Sequence, residues 1–172
     1  MGAMIPSAIL LPKFQLPLST LTLNSSWQIP ALLLCALVCG PRSSVISAVA
    51  YLTIGIFFLP VFQGGGSIGY LLTPEFGYLI GFIPASWISG QAAQNVERNN
   101  LISLFLAAIY GVIAIQLIGT INLIIGTTLS YSPEPLESLI FKYTLVPLLA
   151  QIILCPSIAL IALIMRKSLL IK

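Results

Sequence analysis

Most of the polar side chains in this chain that could bind another helix or a small molecule are neutral amides within long apolar stretches. They are Gln28, Gln63, Gln116, Asn122 and Gln151. An amide has both N–H donors and an oxygen acceptor, so it binds either a neighbouring helix or a small molecule. In a nonpolar setting such groups face the interior of a helical bundle. The residues therefore predict hydrogen bonding inside a bundle, and they leave open whether the partner is protein or ligand.

A glycine-rich segment interrupts two apolar stretches near the middle of the chain. It runs from Gln63 to Tyr70 and contains Gly64, Gly65, Gly66 and Gly69. So many glycines disfavour a helix, permit turns with positive φ, and let backbone amides approach a bound molecule. The segment lacks the lysine and Ser/Thr of a nucleotide-binding loop, so it does not predict ATP binding. A loop that contacts a ligand is one interpretation, and an ordinary membrane loop is the other.

One carboxylate, Glu75, follows Pro74 at the start of a predicted helix. A negative charge there is favoured by the helix dipole and can cap backbone amides. The sequence is equally compatible with capping and with ligand contact.

Groups for catalysis or metal binding are sparse. The chain has no histidine and no arrangement of nucleophile and base. Cys35 and Cys39 lie on one helical face, but no histidine or nearby acid completes a metal site. We therefore expect the cysteines to be small apolar filling, and we expect no enzyme activity, metal, cofactor or disulfide.

The overall composition predicts an all-α integral membrane protein. Of 172 residues, 58% are hydrophobic and only 6% are charged, and the mean hydropathy is +1.07. A soluble domain carries about a quarter charged residues, so this surface suits hydrocarbon better than water. Apolar stretches that cross a bilayer satisfy their own backbone groups as helices. The net charge of +3 is too small and scattered to predict nucleic-acid binding.

Residues 27–172 are predicted to form a single transmembrane domain, a polytopic bundle of five helices. The approximate bounds are 27–39, 43–59, 76–94, 101–129 and 145–165. A short amphipathic piece, Leu139–Tyr143, is expected before the last helix, and Pro156 predicts a kink within it. Residues 1–26 are apolar but broken by prolines, so we expect an interfacial segment or a remnant after a first helix missing upstream of Met1.

The charges predict the orientation of the bundle. Alternating spans put five basic residues on one side of the membrane and two on the other, and the richer side is cytoplasmic. The five are Arg42, Arg98, Arg166, Lys167 and Lys172. The glycine-rich segment then faces the outside, and the C-terminus is cytoplasmic.

Small residues recur every four positions along the third predicted helix. They are Gly77, Gly81, Ala85, Ser89 and Ala93. Such a ridge lets another helix approach closely. Packing inside the bundle is the favoured interpretation, and docking of a separate protein is the alternative.

Several stretches resemble the biotin-specific substrate-capture subunits (S components, BioY family) of energy-coupling-factor transporters. Gly40-Pro41-Arg42 follows Gln28 at the family's spacing. Leu59–Phe62, the glycine-rich segment and Pro74–Phe82 then follow in the family's order. Gly111 and Gly119 match its fifth helix.

The resemblance implies a six-helix fold, of which these five helices would be the second to the sixth. It implies an outside loop that closes over biotin, and a multi-pass protein of the plasma membrane. It further implies that biotin is the transported ligand, and that a transmembrane coupling protein and ATPase subunits are partners.

The resemblance also implies a binding site, with a departure on the last helix. Family members often carry an Asp and a Lys one turn apart there, where this chain has Gln151 and Leu154. The Gln151 amide can still bond a ureido ring in both directions. The partner of the carboxylate of biotin is left unassigned, with Lys142 and helix N-termini as candidates. The predicted substrate-binding residues are Gln28, Gln63, Gly64, Gly65, Gly66, Gly69, Tyr70, Glu75, Phe76, Gly77, Tyr78 and Gln151.

Three other functions remain open at this point. The first is an S component for a different vitamin, because the site departs from the family pattern. The second is a structural or assembly membrane protein without a ligand, and the least favoured is an intramembrane enzyme.

Overall fold

The computed structural model describes residues 27–59, 61–62, 70, 73–95, 100–128 and 136–169. The elements within these ranges are all helical, and they follow the chain in the order given next. They are α1 (Gln28–Cys39), α2 (Pro41–Phe57), α3 (Phe76–Ile80), α4 (Phe82–Asn95), α5 (Leu101–Thr128), α6 (Leu136–Ile140), a π-helical turn (Phe141–Leu145) and α7 (Val146–Ser168). The predicted N-terminal segment 1–26 and most of the glycine-rich segment lie outside the described residues.

The predicted boundary between the first two helices is confirmed. Gly40 adopts φ 83°, in the left-handed region that favours glycine, and its N–H bonds the carbonyl of Ala36. Pro41 then opens α2, where its missing N–H costs nothing. Glycine followed by proline therefore turns the chain back sharply, and α1 and α2 become antiparallel neighbours.

Two predicted boundaries differ from the structure. The third predicted helix is divided at Gly81 into α3 and α4, where the Gly81 N–H is shared between the carbonyls of Gly77 and Leu79. The expected amphipathic piece is not separate, because α6, the π-helical turn and α7 run on without a break. The Val146 N–H reaches five residues back to Phe141, just before Pro147 removes a donor from the helix.

Within the part of the chain that the structure describes, two helices are long and apolar enough to cross a membrane, judged by length and composition. They are α5 and the continuous helix 136–168, and each contains a window of mean hydropathy 2.5. At 1.5 Å per residue they are about 42 and 50 Å long. α1 and α2 are shorter apolar helices. The number of five spans therefore stays a prediction.

The direction of the helices defines two ends of the bundle. α1 begins, α2 ends, α3 begins, α5 ends and helix 136–168 begins at one end, which we call the site end. Glu75 and Lys142 lie toward the site end, whereas Arg42, Arg166 and Lys167 lie toward the opposite end. Residues that are far apart in the sequence, from five segments, therefore lie at the same level of the bundle.

The small-residue ridge packs inside the bundle, as expected. Gly77, Gly81, Ala85, Ser89 and Ala93 are all buried. A Cβ on Gly81 would lie 3.0 Å from the Cα of Ile115, and one on Gly77 would overlap the Asn122 side chain. The ridge therefore allows α3 and α4 to lie directly against α5.

A buried arginine closes the opposite end. The Arg166 side chain of α7 is 8% exposed. Its Nε donates to the carbonyl of Leu37 at 2.6 Å, and its Nη1 donates to the carbonyl of Ala93 at 3.2 Å. These carbonyls belong to the last turns of α1 and α4, where the helix dipoles are negative. One side chain therefore joins three helices.

Candidate ligand-binding site

The described residues on either side of the glycine-rich segment are anchored to the site end. The Val61 carbonyl accepts hydrogen bonds from Tyr51 at 3.2 Å and from Gln28 at 3.5 Å. The Phe62 ring packs against Tyr51 with centroids 5.6 Å apart and against Tyr70 with centroids 5.0 Å apart. Phe62 and Tyr70, which are far apart along the chain relative to their spacing in the fold, are therefore in direct contact.

Tyr70 and Glu75 form the first of three polar pairs, which we call the upper pair. The Tyr70 hydroxyl donates to Glu75 Oε2 at 2.6 Å. Burial and this hydrogen bond both raise the pKa of the Tyr70 phenol, so the phenol remains a donor at neutral pH. Glu75 makes no side-chain capping hydrogen bond to α3. Its carboxylate is therefore oriented by the tyrosine that ends the glycine-rich segment.

Tyr78 and Thr144 form the middle pair. The Tyr78 hydroxyl and Thr144 Oγ1 are 2.6 Å apart, and either oxygen can donate. Thr144 is buried within the π-helical turn, and Tyr78 lies on α3. A Cβ on Gly119 would overlap the Tyr78 ring, so the ring packs against the gap that this glycine leaves in α5.

Gln116 and Gln151 form the lower pair. They lie on the two longest helices and are 5% and 4% exposed. Gln116 Nε2 donates to Gln151 Oε1 at 3.0 Å. Gln116 Oε1 is buried and has no hydrogen-bond partner in the part of the chain that the structure describes. A buried acceptor without a partner costs about 1–3 kcal/mol, so this pair is only half satisfied.

The three pairs follow one another from the site end into the bundle. Gln116 is three residues deeper than Gly119 along α5, a difference of about 4.5 Å. Gln151 is seven residues deeper than Thr144 along the helix, or about 10 Å. The lower pair therefore lies near the middle of both long helices, below the middle pair. Polar groups in a column of this kind suit a narrow, elongated ligand.

The structure brings together four of the predicted site residues as members of these pairs: Tyr70, Glu75, Tyr78 and Gln151. Phe76 is half-buried and packs against the core beside them. The Gln28 side chain donates a hydrogen bond to the Val61 carbonyl, and Gly77 packs against the Asn122 side chain. The remaining predicted residues, which lie outside the described part of the chain, are Gln63, Gly64, Gly65, Gly66 and Gly69.

Sequence reasoning missed two partners in these pairs. Thr144 carries no signal of its own, because a threonine in an apolar helix commonly bonds its own backbone. Gln116 stood out as an amide within an apolar stretch, but only the fold shows that it faces Gln151. Counting helical turns inward from the site end on α5 and α7 would have placed both amides at similar depth.

Lys142 lies at the surface of the site end. Its side chain is exposed, and its Nζ is 5.1 Å from the centroid of the Tyr143 ring. Among the described residues, no group of three or more His, Cys, Asp or Glu could hold a metal ion. The described side chains of the three pairs are neutral hydrogen-bonding groups, aromatic rings and one carboxylate.

The fold is that of an S component. The structure matches a crystal structure described as the S-component for biotin from an ECF-type ABC transporter, with a TM-score of 0.71. The match covers 91% of this chain and 80% of that one at 22% sequence identity. At this identity the likeness shows the shared arrangement of helices.

The chain belongs to the BioY family, whose model matches residues 2–170. It is 40% identical over 103 residues to a protein of Lysinibacillus sphaericus described as "Probable biotin transporter BioY", which covers 60% of this chain and 50% of that protein. It is also 28% identical over 177 residues to an uncharacterized 21.2 kDa protein of Cyanophora paradoxa, over 98% of this chain and 92% of that one. The chain thus matches about half the length of this BioY relative.

Proposed function

We propose that this protein is the biotin-binding subunit of a membrane transporter, and that it captures biotin at the site end. The observation that carries the proposal is the column of three polar pairs that extends inward from that end, in a chain of the BioY family with the S-component fold. Biotin has a hydrogen-bonding ureido ring, an apolar bicycle and a flexible acid tail, and it is long enough to contact more than one pair.

The orientation of biotin follows from the chemistry of the pairs. The neutral ureido ring is directed to the lower pair, where Gln151 has amide N–H donors for its carbonyl. The acid tail is directed outward, because the middle of an apolar bundle disfavours a carboxylate. Lys142, at the exposed rim, is the described cation that can reach the tail.

The proposed topology is a five-span bundle in the plasma membrane with the site end outside. Arg42, Arg166 and Lys167 at the opposite end support a cytoplasmic position for that end and for the C-terminus. The glycine-rich segment then covers the site from outside, and its freedom of φ suits opening and closing. The segment has no nucleotide-binding motif, so uptake against a gradient relies on an ATPase and a transmembrane coupling protein.

Thermal unfolding of the purified protein with a panel of vitamins tests this function. Biotin at a thousandfold excess over its Kd is expected to stabilise the protein by about 4 kcal/mol, because it binds only the folded state. The other vitamins of the panel serve as matched controls and are expected to give no shift. Stabilisation by a different vitamin, with none by biotin, would favour an S component of other specificity. No shift with any of them would favour a structural membrane protein.

A further inference from the structure

We infer that Gln116 is a specificity-determining residue, whose amide oxygen accepts a hydrogen bond from a ureido N–H of the ligand. The inference rests on the proposed function, and it deepens it by assigning a residue of α5 that the sequence did not place in the site. Gln116 and Gln151 together would then hydrogen-bond both the N–H and the carbonyl of the ureido group.

The position of Gln116 makes its amide an unusual structural element. It lies 15 residues from the start of a 28-residue apolar helix, and its side chain is 5% exposed. At that depth neither water nor lipid headgroups are at hand to hydrogen-bond it. An apolar residue of the same length would pack there without the cost of burying an amide.

The hydrogen-bonding groups of the lower pair that remain after its own bond indicate the chemistry of the ligand. A bond between two helices needs one donor and one acceptor, and Gln116 Nε2 and Gln151 Oε1 supply them. What remains is the Gln116 oxygen, without a partner among the described residues, and the N–H donors of Gln151. A cyclic urea presents an N–H beside a C=O, which complements this remainder. A carboxylate or a simple hydrocarbon does not.

The neighbours of the pair also favour a ligand. Gly119 lies one turn nearer the site end on α5, where the Tyr78 ring occupies the gap that it leaves. The Tyr78 ring is thus held just above the lower pair by its bond to Thr144. An apolar bicyclic ring system would contact the aromatic ring while its ureido edge meets the amides.

The test compares biotin with two analogues in which one or the other ureido N–H is replaced by oxygen. These cyclic carbamates keep the size of the ring but oppose an acceptor to the Gln116 oxygen. Calorimetric titration of the full chain is expected to show that one carbamate binds at least tenfold more weakly than biotin. In Gln116→Met, biotin itself is expected to bind about tenfold more weakly, and the difference between biotin and that carbamate is expected to disappear.

The control variant is Thr127→Val on the same helix, where the hydroxyl bonds the backbone carbonyl of Ile124. This variant is expected to bind biotin more tightly than the carbamate by the same factor as the wild type. If Gln116→Met does not fold, Gln116→Asn is the second variant, because it withdraws the oxygen by one methylene group. It is expected to reduce the difference in affinity between biotin and the carbamate.

Two outcomes overturn the inference. Equal binding of biotin and both carbamates by the wild type would show that Gln116 accepts no ureido N–H, and so would full discrimination by a folded Gln116→Met. These outcomes leave the proposed function intact, since biotin still binds. A wild type that binds no biotin overturns the proposed function and this inference together.

Discussion

Replacing Gly119 with leucine is expected to weaken biotin binding about a hundredfold. A Cβ at this position would overlap the Tyr78 ring, which the bond to Thr144 holds in place. Overpacking of this kind costs about 1–3 kcal/mol, and 2.7 kcal/mol is about a hundredfold in affinity. The leucine must displace the tyrosine that we place above the lower pair. Equilibrium binding of labelled biotin to the purified variant measures the loss.

Gly126→Leu is the matched control for this prediction. Gly126 lies seven residues further along α5, on the same face of the helix, and no atom of the described residues lies within 4 Å of an added Cβ. The same substitution is therefore expected to leave biotin affinity within about threefold of wild type. Equal losses in the two variants, or none in Gly119→Leu, would contradict a site that includes Tyr78.

Arg166→Met is expected to lower the free energy of unfolding by about 3 kcal/mol. The guanidinium donates to the last-turn carbonyls of α1 and α4, and hydrogen bonds to charged groups contribute about 1.5–3 kcal/mol each. Methionine keeps much of the side-chain length but offers no donor, so two buried carbonyls lose a partner. Thermal unfolding in detergent, followed by helix content, measures the effect.

Lys167→Met is the control for the loss of a positive charge. Lys167 is adjacent in sequence but exposed, so its replacement is expected to change stability by less than about 0.5 kcal/mol. Unfolding of both variants at the same temperature would show that Arg166 does not join the three helices. A loss confined to Arg166→Met would confirm the role of the buried contacts.

The positions of the helices were largely predictable because local rules decide them. Gly40 and Pro41 end one helix and start the next by backbone geometry alone, and the structure agrees to within about two residues. The small-residue ridge was also predictable, since only a neighbouring helix explains residues without bulk at every fourth position. Composition and spacing carry this information directly.

The errors lie where neighbouring segments decide the outcome. The break at Gly81 could not be predicted, because a glycine within a small-residue ridge is also compatible with an unbroken helix. The π-helical turn places Thr144 opposite Tyr78, and no periodicity in the sequence indicates that extra residue. These features arise from packing between segments that are far apart in the sequence.

The site was predicted as a set of residue types, and the structure arranges part of it as pairs. Tyr70 and Glu75 are five residues apart, so their contact was within reach of local reasoning. Gln116 and Gln151 are 35 residues apart, and their pairing depends on the register between α5 and α7. A single sequence does not fix that register.

The most direct test of the account is saturation binding of labelled biotin to the purified full chain in detergent or lipid nanodiscs. We predict saturable binding of one biotin per chain, displaced by unlabelled biotin and unaffected by ATP. Absence of saturable binding by a folded, helical protein would contradict the central claim, which is that the three polar pairs extending inward from the site end hold this vitamin.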